Sequence, residues 1–295
     1  MSADARQMSG RVCVVTGATA GIGRETALGL ARMGATVVIV ARDAAKAART
    51  VDEIVRATGS ARVEIVIADF ASLDAVRAAA AEIGRRYGAV HVLVNNAGVV
   101  KKQRTLSADG FELTFAVNHL APFLFTREIM PFLRAGAPAR IVNVASAAEA
   151  HGPIDFGDLQ SEKRYRGFLV YGKTKLMNIL FSYELAARLA GTGITANCLH
   201  PGAVATDMLR QLPWWLYALI SPFLLTPEKG AATQLFLATS PAVEGVSGAY
   251  YVKGKAARSS PRSYDVEMQK RLWEVSETLV SSRASRGAMA DTHLV

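Results

Sequence analysis

Tyr171 and Lys175 stand four residues apart in Y-G-K-T-K. On a helix that spacing places both side chains on one face, one turn apart. A phenol with a reference pKa of about 10 is a poor acid–base group at neutral pH. An ammonium ion ~4 Å away in an effective dielectric of ~20 favours the ionised phenol by about 4 kcal/mol, on the order of three pKa units, while desolvation pushes the other way. Such a pair could give a proton to a carbonyl oxygen as hydride arrives at carbon, or take it back in the reverse direction. Ser146, ending a strand-like run upstream, could hold the same oxygen as a neutral donor. The chain holds a second pair of the same spacing, Tyr251 and Lys255 in Y-V-K-G-K. Tyr251 lies between Gly248 and Gly254 in a strand-like stretch without a helix, and the pair reads as coincidence.

The elements that must position these groups are legible as alternating β-branched runs and helix-length segments. Strand runs occur at 11–16, 36–41, 63–67, 90–94, 140–145 and 194–199. Between them the pattern predicts helices at about 21–33, after Asp43, at 72–86, through 108–133 and at about 168–189. Strands apolar on both faces, joined by long crossovers, predict an α/β doubly wound architecture with a parallel sheet covered by helices on each side. One domain is expected over 1–280, and the small, polar stretch 281–295 is expected to be disordered.

Composition narrows the function classes. The net charge of +9 is spread along the chain, with no basic tract interleaved with aromatics, so nucleic-acid binding is not expected. Cys13 and Cys198 lie inside apolar strand runs and read as buried thiols of a reducing compartment. The five histidines and two cysteines show no metal-ligand spacing. The N-terminus carries no apolar run, and the longest apolar stretch, Leu212 to Leu225, is broken by Pro213, Ser221 and Pro222. A cytoplasmic protein is therefore the expectation.

The first strand runs into T-G-A-T-A-G-I-G, residues 16–23, and then a helix. Gly17, Gly21 and Gly23, with Thr19, Ala20 and Ile22 between them, form a turn that lets backbone approach a pyrophosphate at a helix N-terminus. The order is G-x-x-x-G-x-G, not the G-x-G-x-x-G of the common dinucleotide fingerprint. At the end of the second strand Ala41 stands where an acid would read a free ribose hydroxyl, and Arg42 follows with a fork suited to a 2′-phosphate. This favours NADP(H). The alternative is a solvated Arg42 beside an N-capping Asp43. Asn96, Ala97 and Gly98 of N-N-A-G fall at the carboxyl edge of the sheet, where ligands of open α/β folds bind. Asn118, in an otherwise apolar helix, must find partners, and a structural bridge is as good a reading as a catalytic one.

With these motifs in this order, the chain resembles the short-chain dehydrogenase/reductase superfamily over roughly residues 10–255. The resemblance implies a single Rossmann-type domain with a seven-stranded parallel sheet. It implies Tyr171 as acid/base, Lys175 also on the nicotinamide ribose, Ser146 orienting substrate and Asn118 holding a water in a proton relay. It places Asp69 and Phe70 near the adenine, and Pro201, Gly202, Val204 and Thr206 against the nicotinamide. A narrower resemblance, in A-R-D, D-G-F-E, A-V-N-H-L and F-G-D-L-Q-S-E-K-R-Y, is to the retinol dehydrogenase group, NADP-dependent enzymes of retinal and other apolar aldehydes.

Residues 203–226 fall where that superfamily places its substrate lid. Within them 212–225, with two tryptophans, a tyrosine and a phenylalanine, could line an apolar pocket, rest on a bilayer surface as a peripheral contact, or pack in a homo-oligomer. The reading is an NADPH-dependent oxidoreductase of an apolar aldehyde or ketone and its alcohol. The alternatives are a steroid or polycyclic ketone reductase, and a sensor or scaffold that binds NADP(H) without turnover.

Overall fold

The computed structural model describes residues 7–204 and 224–290, with side chains through residue 282. Strands β1 (Val12–Thr16), β2 (Thr36–Ala41), β3 (Val63–Ile67), β4 (Val92–Asn95), β5 (Ala139–Val144), β6 (Ile194–His200), β7 (Tyr250–Val252) and β8 (Lys255–Ala257) form one sheet in the order β3-β2-β1-β4-β5-β6-β7-β8. The first seven are parallel, as expected. β8 adds an eighth strand, antiparallel to β7, because Lys253 and Gly254 both take positive φ and turn the chain back at once.

Period-two alternation divides the strands between two cores. Cys13, Val15, Val37 and Ile39 face the helices α1 (Gly21–Arg32), α2 (Ala44–Thr58) and α6 (Pro227–Thr239). Val14, Val38, Val66 and Leu93 face α3 (Leu73–Tyr87), α4 (Ala121–Ala135), α5 (Gly167–Arg188) and α7 (Val266–Ala290). Both cysteines are free and buried, and burial pushes the Cys13 thiol up to about 12.

Asp43 caps α2 by accepting from Lys46 N at 2.9 Å, and Ser72 caps α3 by accepting from Ala75 N at 3.3 Å. Each such cap is worth about 1 kcal/mol. Ala20, at the start of α1, makes no side-chain cap, and the first turn of α1 contains no acid. Its free N–H groups open at the carboxyl edge of the sheet.

Two predicted boundaries move. The helix expected through 108–133 starts at Leu113, because the Glu112 carboxylate accepts from Thr114 N at 2.8 Å and Phe115 N at 2.7 Å. A π-helical turn, Ala116–Leu120, then leads into α4. The segment expected to be disordered from 281 continues instead as α7 through Ala290. α7 lies across α4 and α5, with the Trp273 ring 5.0 Å from Phe123 and 5.9 Å from Phe181. No helix among the described residues is long and apolar enough to cross a membrane. The stretch 212–225 lies almost wholly outside the described residues.

Candidate active site

β1 delivers Thr16 to the carboxyl edge, and its hydroxyl accepts from both Asn96 N and Ala97 N at 3.0 Å. This brings N-N-A-G against the glycine turn. Gly17 has a φ of +68°, and a Cβ there would stand 2.8 Å from Ala97 Cα, so only glycine fits. A Cβ on Gly23 would meet Asn96 Nδ2 at 2.4 Å and Gly17 O at 2.6 Å. The Asn96 amide donates to Thr16 O at 2.8 Å and Gly17 O at 3.2 Å, and its oxygen accepts from Gln234 Nε2 at 3.2 Å. Asn96 thus braces the glycine turn with its side chain. Asn95 is likewise committed inside the protein, to Thr126 Oγ1 at 2.9 Å and Asn143 Oδ1 at 2.8 Å.

Thr19, Ala20, Gly21 and Ile22 line the partly open mouth of α1. Arg42 follows β2, exposed and without a side-chain partner among the described residues, while Asp43 is spent on its cap. Asp69 lies at the end of the adjacent β3, exposed, its carboxylate turning the chain by accepting from Ala71 N at 2.9 Å. The Phe70 ring is buried, 5.5 Å from Phe125, so its side chain belongs to the core and only its backbone faces this edge. After β6, Pro201 and Gly202 are partly exposed. Val204 is buried against Gly230, where Ile22 also packs, which seats this loop beside the start of α1. Thr206 lies outside the described residues.

The other half of the site hangs on β5 and α5. Ser146 follows β5 and caps a short 3-10 turn, Ala147–His151, accepting from Ala148 N at 3.2 Å. It lies near enough to the Tyr171 phenol to favour its ionised form slightly. Lys175, buried, stands with Nζ 5.5 Å from the centre of the Tyr171 ring and donates to Val144 O at 2.9 Å. Asn118 accepts from Val99 N at 2.7 Å and donates to Val99 O at 2.9 Å and Thr174 Oγ1 at 3.1 Å. Thr174 in turn donates to Tyr171 O at 2.7 Å. Asn118 therefore acts as the structural bridge, tying the N-N-A-G loop to the turn of α5 that carries the tyrosine and lysine. A Cβ on Gly98 would lie 3.5 Å from Asn118 Oδ1 and 3.6 Å from Lys175 Nζ, so the two halves of the site meet there.

Burial decides the protonation states. It pushes the Tyr171 phenol up to about 12, against the smaller lowering influence of the nearby Ser146 hydroxyl. The expectation that the Lys175 charge brings this phenol near neutrality is not met: desolvation wins. Burial likewise pushes the Lys175 ammonium down to about 8. At neutral pH the site therefore holds a protonated phenol beside an ammonium that titrates within the accessible range.

Sequence reasoning missed Lys173, whose buried ammonium donates to Leu159 O at 2.6 Å and Ser161 Oγ at 2.7 Å and so fastens the loop between Ser146 and Tyr171. It also missed Thr16 and Gln234, although a threonine closing an apolar strand was a usable signal for the first.

A sequence model of the short chain dehydrogenase family matches residues 11–216. Retinol dehydrogenase 12 of Homo sapiens is 42% identical over 279 residues, spanning 94% of this chain and 88% of that protein. Among solved structures, an uncharacterized protein from Mycobacterium paratuberculosis aligns with a TM-score of 0.76 at 31% identity, covering 92% of this chain and 94% of that one. The Pseudomonas aeruginosa RhlG/NADP active-site complex aligns with a TM-score of 0.69 at 29% identity, covering 83% of this chain and 96% of that one.

Proposed function

Because the chain belongs to the short chain dehydrogenase family, in its retinol dehydrogenase-like group, and is thus an oxidoreductase of alcohol and carbonyl groups, we propose that it is an NADPH-dependent reductase of apolar aldehydes or ketones. The observation that carries this reading is the grouping of Tyr171 with Lys175, whose Nζ lies 5.5 Å from the phenol ring one helical turn on, beside Ser146 at the carboxyl edge of the sheet.

The residues fit a phosphorylated dinucleotide. The uncapped start of α1 offers N–H groups and a positive helix end to a pyrophosphate, and Gly17 and Gly23 let Ala97 and Asn96 pack closely enough to hold that turn in place. Arg42, free of protein partners among the described residues, supplies a bidentate fork for a 2′-phosphate. A relative in fold, Pseudomonas aeruginosa RhlG, is a complex with NADP. When bound, the reduced nicotinamide supplies a hydride to the carbonyl carbon.

The protein supplies the proton. Ser146 donates to the carbonyl oxygen and polarises it. As that oxygen becomes an alkoxide, a stronger base than a phenolate, Tyr171 delivers its proton downhill, so a phenol raised by burial suits the reductive direction. Lys175 stabilises the phenolate so formed, and with its own affinity for the proton reduced by burial it is a ready source for reprotonation. On the rim, Phe168 lies one turn before Tyr171 on the same face, 61% exposed and with its ring 6.4 Å from that of His151. An exposed aromatic in this place supports an apolar substrate.

The test is absorbance at the nicotinamide band with NADPH or NADH against retinal, medium-chain aldehydes and polycyclic ketones. Consumption of NADPH over NADH with an apolar aldehyde is expected. Tight NADPH binding with no turnover across a wide carbonyl panel would favour a sensor, and a polycyclic ketone as the best substrate would replace the aldehyde reading.

A further inference from the structure

The π-helical turn Ala116–Leu120 carries two adjacent buried polar side chains that serve different parts of the molecule. The Ala121 N–H reaches back five residues to Ala116 O, and such wide turns are often retained where function needs them. Asn118 turns to Val99 and Thr174, as described. His119 turns the opposite way, and its Nε2 lies 2.8 Å from Ser276 Oγ on α7. The Ser276 hydroxyl has a single proton, which it gives to Leu272 O at 2.7 Å, so at His119 it accepts and Nε2 carries the imidazole proton. The ring is held between aromatic side chains, stacked 5.8 Å from Phe115 and edge-on to Phe181 at 6.4 Å, and is itself buried. Burial holds the imidazole well below its usual range, at about 4, so the contact is a neutral hydrogen bond at working pH.

We propose that His119 and Ser276 are positioning residues, through which α7 fixes the π-turn and thereby the Asn118 bridge between the N-N-A-G loop and the Tyr171–Lys175 turn. The active site is thus braced from a helix that, among its described residues, contributes no group to it. This role rests on the catalytic reading of Tyr171 and Lys175 for its kinetic consequence, but its structural part can be measured without turnover.

Ser276→Ala removes the acceptor and leaves a buried N–H unpaired. The expected result is a fall in kcat of about tenfold with carbonyl KM little changed, since an unpaired buried donor strains the turn that carries Asn118. Ser276→Thr keeps the hydroxyl and restores the rate. In an Asn118→Ala background the further loss of kcat from Ser276→Ala disappears, while its loss of thermal stability persists. Independently of any substrate, the Asn118 side-chain amide resonance in a nitrogen–proton correlation spectrum shifts in Ser276→Ala and returns in Ser276→Thr. An unmoved Asn118 resonance with a lowered Tm would overturn the proposal and leave α7 a purely stabilising element. A shifted resonance with no carbonyl turned over would uphold the brace and count instead against the proposed reaction.

Discussion

The chain contains the same pair of residues at the same spacing twice, and the fold makes opposite use of them. On α5, Tyr171 and Lys175 share a helical face, the lysine buried and 5.5 Å from the tyrosine ring. On the β7–β8 hairpin the turn reverses the chain between Tyr251 and Lys255, so that Tyr251 pairs with Ala256 and Lys255 with Val252. Tyr251 is buried against Phe236, ring centres 6.1 Å apart, and Lys255 is exposed on the edge strand. Four residues along a helix bring side chains together, and four residues across a tight turn send them apart. Spacing carries chemical meaning only after the backbone period is known.

The sharpest way to break this comparison is to delete each phenol. Tyr171→Phe is expected to lower kcat by about 10²–10⁴ with NADPH affinity nearly unchanged, the usual worth of a positioned acid. Tyr251→Phe should leave both near wild type. Equal losses in the two variants would mean that the helix pair has no special role.

Ser146→Ala comes next, with an expected loss of about 10²–10³ in kcat for one polarising donor. Measuring Tm beside kcat separates this from its 3-10 cap, whose loss would lower stability alone.

The third test uses pH. Lys175, pushed down to about 8 by burial, loses its charge as pH rises through that value, so reductive kcat should fall on the alkaline side with a midpoint near 8. Its folded value lies below the unfolded one, so the cost of burying the charge is fully present below pH 8. Stability recovers above pH 8, towards the unfolded lysine value of about 10.4. A rate independent of pH to about 9.5 would remove Lys175 from the mechanism.

Smaller effects are expected away from the reacting atoms. Arg42→Ala should weaken NADPH about tenfold and leave NADH alone, the worth of a charge-assisted contact to phosphate, as read by fluorescence titration with both nucleotides. Lys255→Ala, at the other end of the comparison, should change no kinetic constant.

The groups most legible in the sequence were those whose partners lie within one turn or at a strand end. The glycine turn, the Tyr171–Lys175 face and Ser146 all follow from local period and edge position, and so did the first six strands along the chain. What was illegible depends on distant pairing. Asn96 points to the glycine turn because Thr16 and Gln234, far away in sequence, receive it. Phe70 turns inward because Phe125 offers a partner, and Asn118 proves to be a bridge because Val99 and Thr174 converge on it. The phenol's acidity could not be judged because two opposing influences, charge and desolvation, are both large, and only packing sets their balance.

The uncapped start of α1 has a practical consequence for anyone handling the protein. A helix end that relinquishes its side-chain cap is stabilised by whichever anion occupies it, so inorganic phosphate or sulfate in the buffer will compete with the nucleotide for the same N–H groups. Apparent nucleotide affinity should therefore drift with the choice of buffer salt, and a melting temperature taken in phosphate will report the salt as well as the fold.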